Sequence, residues 1–230
     1  MMQPGDIVSY IDMCREEGAS LQRGMNYRLK GGMSVVLMSI RAGAPYSDKV
    51  EEDGRVLIYE GHDAAREKDG QDPKKADQPS RTSSGTITQN GLFFQAAKRA
   101  EAGGEVEQVR VYEKLKAGIW SFNGVFNLTD AWQQKVGRRK VFRFRLDLTV
   151  DPSEDRTREA DELTHDRIIP TSVKLAVWKR DKGRCVLCAK SDNLHFDHII
   201  PFSKGGTSLK VENVQLLCAR HNLVKHDRIE

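Results

Sequence analysis

The stretch CVLCAKSDNLHFDHIIP, residues 185–201, decides how this chain is read. Two cysteines stand three apart, then two histidines flank an aspartate, and a proline closes the run. Thirty residues beyond Cys188, a second pair, Cys218 and His221, repeats the spacing of the first. Two such pairs offer the four nitrogen and sulfur ligands that tetrahedral structural zinc demands, so Cys185, Cys188, Cys218 and His221 are read as a Zn²⁺ site. A segment of roughly sixty residues has little core of its own, which makes a metal staple physically sensible. The plain alternative is a chance cluster of cysteines.

Outward from that stretch, the 230 residues are 38% hydrophobic and 30% charged, as in a soluble globular protein of one large or two modest domains. No apolar run reaches the ~18 residues of a membrane span and the start carries no signal-peptide pattern, so the expectation is a cytoplasmic protein without a membrane partner. Cys14 stands alone while the other cysteines cluster near the end, a distribution that favours metal ligation over disulfides. Residues 171–230 hold eleven Lys/Arg against six Asp/Glu, whereas residues 151–170 hold three against seven. A basic block behind an acidic segment fits a polyanion-binding module on a charged tether, although many basic faces are merely solvated.

Apolar positions at Ile7, Val8, Ile11 and Met13 predict a short helix within residues 5–19. Residues 34–40, 55–59, 106–111, 118–128 and 141–150 are β-branched or aromatic runs between turn residues and read as strands. Residues 92–102 and 172–179 read as helices. Residues 66–85 are rich in charge, Gly, Pro and Ser and predict a long surface loop. The expected organisation is α+β: a mostly β domain over 1–150, an acidic linker over 151–170 and a compact module over 171–230.

HFDHIIP, the glycine pair at 205–206 and ENVQLLCARHNLVK together resemble the HNH nucleases, whose fold is ββα-metal. The resemblance covers residues 171–230 and implies one catalytic divalent cation, Mg²⁺ or Mn²⁺, beside the structural zinc. It implies His198 as general base, since a neutral imidazole accepts a proton near pH 7. Asp197 would give the carboxylate oxygen that a hard cation prefers, and Asn222 a second ligand. Asn213 would brace the loop and orient the base, and Lys225 would contact phosphate. In this family the last motif letter is often His, and here His221 and Asn222 stand side by side. His221 is assigned to zinc because it occupies the place of a second knuckle cysteine. His195 is read as a structural hydrogen-bonding residue ahead of a catalytic one.

The larger domain resembles a second family, the SRA domains, which are PUA-like twisted β-barrels that bind methylated cytosine by flipping the base. The resemblance lies in GMNYRL, SVVLMSIRAGAPYSDKVEEDGRVLIYEGHD, ITQNGLFFQAAKRA, VRVYE, IWSFNGVFNLTDAW and VFRFRLDL, from about Gly24 to Leu148. It implies Tyr46 and Tyr59 as stacking aromatics and Asp48 as acceptor for the cytosine amino group, with an extra residue between the tyrosines compared with the family pattern. A core strand role is the alternative for Tyr59. Arg66, Lys68, Lys74, Lys75 and Arg81 would bring the long loop to the DNA grooves, or leave it solvated. Arg138, Arg139 and Lys140 form a further candidate phosphate-contacting cluster.

The two modules together resemble the SRA–HNH modification-dependent restriction endonucleases. The implied partner is double-stranded DNA containing methylated cytosine, and one active site per chain for two strands implies a homodimer. Alternatives are a modified-DNA binder whose HNH module only holds DNA, and an HNH nuclease without methyl selectivity.

Overall fold

The computed structural model describes residues 2–30, 32–65, 72–149, 169–201 and 204–225. Residues 66–71, with Arg66 and Lys68, and most of the acidic segment, 151–168, lie outside them. The described elements run β1 (Ile7–Ser9), α1 (Tyr10–Glu16), β2 (Met25–Asn26), β3 (Ser34–Met38), β4 (Lys49–Glu51), β5 (Val56–Glu60), α2 (Gln89–Glu101), β6 (Glu107–Lys116), β7 (Ile119–Val136), β8 (Arg139–Leu148), α3 (Thr171–Arg180), β9 (Leu194–His198), β10 (Val214–Cys218) and α4 (Ala219–Lys225). None of these helices is long and apolar enough to cross a membrane.

Eight strands form one sheet in the order β2-β3-β6-β7-β8-β5-β4, with β1 added against β7. The β3–β6 pair is parallel and the others are antiparallel. Strand β7 is 18 residues long, and its register shifts against β6 and β8 are the kind of bulges that let a long strand curl. Alternation in β8 puts Phe142, Phe144 and Leu146 on the face covered by α2, where Phe93, Ala96 and Ala97 complete the main core. On the other face, Met13 of α1 packs with Val35, Tyr112, Trp120 and Phe122. The polar side of β8 is buried as well: Arg143 is 6% exposed, held by Glu60.

The N-terminus departs from its predicted helix. Residues 7–9 are extended and pair with β7, and the helix starts only after Ser9, whose hydroxyl accepts from the Asp12 N–H. Apolar spacing alone does not separate a strand running into a helix from one longer helix.

The C-terminal module is a β9–β10 hairpin pair with α3 and α4 beside it. Its core, including Val173, Val177, Leu194, Phe196, Leu216 and Leu217, also takes in Leu115, with Ile7 and Ile119 packed against it. Two polar links run along this seam. The Gly5 carbonyl accepts from the Phe196 N–H at 3.1 Å, and Asp6 Oδ1 meets His195 Nδ1 at 2.5 Å. Lys174, 2% exposed, places Nζ 2.8 Å from Glu113 and 2.7 Å from Asn123 Oδ1, and the Thr171 hydroxyl donates to Glu113. A buried ammonium with a carboxylate and an amide oxygen is satisfied, whereas either charge alone would be costly.

Candidate functional site

Cys185 and Cys188 lie ahead of β9, Cys218 closes β10 and His221 follows one turn into α4. Their ligand atoms all fall within 4.8 Å of one another. Cys188 Sγ is 3.7 Å from Cys218 Sγ, and His221 Nδ1 is 3.3 Å from Cys185 Sγ and 3.5 Å from Cys218 Sγ. Metal–sulfur bonds of about 2.3 Å at tetrahedral angles give edges of about 3.8 Å, with slightly shorter edges to nitrogen. The donor set and its spacing fit zinc. Burial pushes the Cys185 thiol up, but N–H groups of Cys218, Leu187 and Cys188 and the His221 ring outweigh it and bring the thiol down to about 6, the thiolate side of neutral pH. His221 therefore sits with the cysteines, as its spacing predicts.

Asp197 and His198 end β9. Asp197 Oδ2 accepts from Gln215 Nε2 at 3.2 Å and pairs with Lys225 Nζ at 2.9 Å, while Oδ1 has no partner among the described residues. The last turn of α4 thus closes onto the end of β9. His198 Nε2 lies 2.9 Å from the hydroxyl of Ser208, a buried residue that the sequence reading did not single out. Asn213 does brace the loop: its Oδ1 accepts from the Ile200 N–H at 2.8 Å and its Nδ2 donates to the carbonyls of Ile200 and Thr207. Its contacts are with that loop rather than with the His198 ring. The loop needs glycine at 206, where a Cβ would sit 1.8 Å from the Ile200 carbonyl oxygen. Half-buried Asn222 has no side-chain partner among the described residues. A carboxylate oxygen and an amide oxygen are both ligands of the hard type that divalent cations take.

Lys225 requires a correction. It was expected to face phosphate, but it is 1% exposed and spends its ammonium on Asp197 and the His198 carbonyl, 2.6 Å away. Helical phase turns residue 225 inward. His195 is the structural group its pairing with Asp6 indicates.

The second site is a cleft of about 840 Å³ beside the sheet. Tyr46, Asp48 and Tyr59, named from the sequence, all line it, and so do His62, Arg23, Arg41 and Trp120. Tyr59 belongs to the hydrophobic core and to the cleft wall at once. Its hydroxyl lies 3.1 Å from the Gly24 carbonyl and 3.1 Å from His62 Nε2. The His62 ring stacks on Tyr46, centroids 5.2 Å apart. Burial holds His62 down to about 4, so the ring is neutral at pH 7. Burial raises Asp48 to about 6, against backbone N–H groups of Glu60 and Ser39 that donate to its two oxygens at 3.0 Å each.

Arg139 also differs from its expected role. It is buried in an ion network, with Nη2 3.2 Å from Glu60 and Nη1 2.6 Å from Asp63. Glu60 in turn accepts from the Ser47 N–H, and Arg143 donates to the Ser47 carbonyl. The network pins the residue between Tyr46 and Asp48, so Arg139 shapes the cleft instead of facing a phosphate. Lys74 pairs with Asp63 at 2.8 Å and lies 4.1 Å above the Tyr46 ring. Burial would raise the Asp63 carboxyl, but Lys74, Arg139 and Gln78 outweigh it and hold it below its ordinary value. Lys75, Arg81, Arg138 and Lys140 are exposed.

Residues 185–228 match the family described as HNH endonuclease. No curated protein matches the chain in sequence. Among solved structures, it is similar to the SUVH5 SRA domain in complex with methylated CHH DNA, at 19% identity and a TM-score of 0.46, over 65% of this chain and 90% of that one. It is also similar to the type IV phosphorothioation-dependent restriction endonuclease ScoMcrA, at 18% identity and a TM-score of 0.43, over 98% of this chain and 57% of that one. KRYPTONITE in complex with mCHG DNA is similar at 16% identity and a TM-score of 0.42, over 65% of this chain and 34% of that one. At such low identity, the functional reading rests on the residues of this chain.

Proposed function

We propose that the chain is a modification-dependent DNA endonuclease, in which residues 1–150 read 5-methylcytosine in double-stranded DNA and residues 171–230 cut the backbone. The carrying observation is the convergence of Asp197, His198 and the end of α4 beside a fitted zinc cluster, within the segment that matches the HNH family. In this reading His198 takes the proton from the attacking water, held by the Ser208 hydroxyl, and Lys225 fixes the Asp197 carboxylate. Asp197 and Asn222 would hold a Mg²⁺ or Mn²⁺ ion, which stabilises charge on the phosphate and on the leaving oxygen.

For base reading, the support is the cleft itself. It is large enough for a nucleobase, has Tyr46 and Tyr59 for stacking and Asp48 and His62 for the polar edge of the base, and carries Arg23 and Arg41 at its lining for the backbone. Lys75, Arg81, Arg138 and Lys140 are exposed cations that would meet phosphate. Each chain has one cutting site, so cleavage of both strands calls for a homodimer.

The test is incubation of methylated and unmethylated plasmid with Mn²⁺ and either wild type or His198→Ala. Cleavage of methylated plasmid by the wild type alone is expected. Identical behaviour of the two proteins ends the enzyme reading, and equal cleavage of the two plasmids ends the methyl-reading one.

A further inference from the structure

Thymine is the hardest competitor for a methylcytosine pocket, because it carries the same 5-methyl group and is present throughout DNA. The two bases differ on the edge next to that methyl: cytosine presents an amino donor where thymine presents a carbonyl acceptor. A pocket that rejects thymine therefore needs an acceptor that cannot turn into a donor.

The cleft contains such a group. The Tyr59 phenol has one proton and faces the Gly24 carbonyl at 3.1 Å, the Leu37 carbonyl at 3.4 Å and His62 Nε2 at 3.1 Å. A carbonyl oxygen can only accept; with the phenol proton on one of the two carbonyls, His62 Nε2 is the donor to the phenol oxygen, and that tautomer is the one assigned to the ring. Nδ1 is then the bare lone pair of a neutral ring. The ring itself is fixed. The His62 N–H donates to Asn90 Oδ1 and its carbonyl accepts from Asn90 Nδ2, both at 2.8 Å, and the imidazole stacks on Tyr46. Gly24 permits this packing, since a Cβ there would sit 2.8 Å from both Tyr59 Oη and His62 Nε2. Nδ1 has no partner among the described residues, and each oxygen of Asp48 already accepts a backbone N–H.

We infer that His62 is the residue that distinguishes methylcytosine from thymine in the cleft, with Nδ1 as a locked acceptor for the exocyclic amino group. The inference deepens the base-reading function proposed above and rests on it. A thymine carbonyl in the same place would face a lone pair with no proton between them, and a buried acceptor left unpaired costs ~1–3 kcal/mol, or ~5- to 150-fold in affinity.

The experiment is equilibrium binding, by fluorescence anisotropy without Mg²⁺ or Mn²⁺, to duplexes that differ at one pair: 5-methylcytosine·G, thymine·G or cytosine·G. The thymine mismatch is easier to extrude than the matched pair, which biases the assay against the expected result. Wild type should prefer methylcytosine·G to thymine·G by ~10-fold or more. His62→Phe keeps a ring on Tyr46 without an acceptor and should bring that ratio close to one. Tyr59→Phe keeps the wall but removes the hydroxyl that sets the tautomer, and should lower the ratio several-fold. A wild-type ratio in folded His62→Phe overturns the assignment, and if that variant does not fold, a wild-type ratio in Tyr59→Phe does so. Failure of the wild type to prefer methylcytosine·G over cytosine·G would instead sink the base-reading function itself.

Discussion

In the C-terminal module, the four zinc ligands come from two short segments, and Asp197, His198 and Asn213 sit on the hairpin between them. The cleft, by contrast, collects Arg23, Asp48, Tyr59, His62 and Trp120 from loops and strands spread over a hundred residues. In the first region a four-ligand cluster and a five-pair ladder fix the chemistry locally. In the second, local sequence does not suffice: Tyr46 and Asp48 are positioned by Glu60 of the neighbouring β5 and, through it, by Arg139 and Arg143, which arrive on β8 far along the chain. A locally stapled site should fail all at once when its staple is removed. A site built by a sheet should lose its contacts one at a time.

The largest effect should come from the staple. Cys218→Ser is expected to abolish zinc retention and unfold the C-terminal module, since structural zinc contributes ~10 kcal/mol of apparent folding energy in small domains. Metal content and thermal melting check this, and a zinc-free variant with wild-type melting would remove the contrast between the regions. Next comes Asp197→Asn, which exchanges a carboxylate for an amide of the same shape beside Lys225. Cleavage of methylated plasmid should fall ~10³-fold or more if charge on that oxygen holds the cation, and melting should fall as well, because the buried Lys225 ammonium loses its carboxylate. Retained cleavage would show that Asp197 merely balances a buried lysine.

The seam between the regions gives the third break. Lys174→Met leaves Glu113 buried without its ammonium and should cost ~3–5 kcal/mol of stability. Denaturant unfolding measures it. Restoration by the second change Glu113→Gln would identify the uncompensated charge as the cause, and a neutral Lys174→Met would mean that the seam does not hold the two modules together.

The same contrast explains what could be read in advance. Zinc ligation follows from spacing, because a CxxC turn delivers two sulfurs to one point wherever it lies, and the longer strands β3, β5, β6, β7 and β8 followed from their β-branched or aromatic runs, while the short β1, β2 and β4 did not. His62 carried no such mark: a single histidine after Glu60-Gly61 becomes informative only once α2 brings Asn90 to its backbone and β2 brings Gly24 to its ring. Arg139 and Lys225 looked like solvated cations because charge is visible in a sequence and burial is not. Each turned inward because a carboxylate waited there, Glu60 and Asp63 for one and Asp197 for the other. The pairing of β1 with β7, and with it the seam, depends on contacts more than a hundred residues apart, which no window of local periodicity spans.

The smallest effect separates the regions by pH. His62 is held down to about 4 in the fold by burial, with Asp63 raising it and Arg23 and Lys74 lowering it, against an ordinary value of 6.5. The unfolded chain therefore binds the proton more readily, so this residue's contribution is complete above pH 6.5 and is lost as pH falls towards 4. Asp48 acts in the opposite sense. Its folded value of about 6 lies above the ordinary 3.8, so its contribution is greatest at low pH and is lost as pH rises through 6. The two offset each other between pH 4 and 6 in the wild type, which should show a flat profile in that window. His62→Phe removes one arm and leaves Asp48, so the melting temperature of this variant should rise on acidification from pH 6.5 to 4.5 relative to wild type, by a few degrees. Parallel wild-type and variant profiles would mean that His62 titrates as it does in water, which the Tyr46 stack and the Tyr59 hydroxyl do not allow.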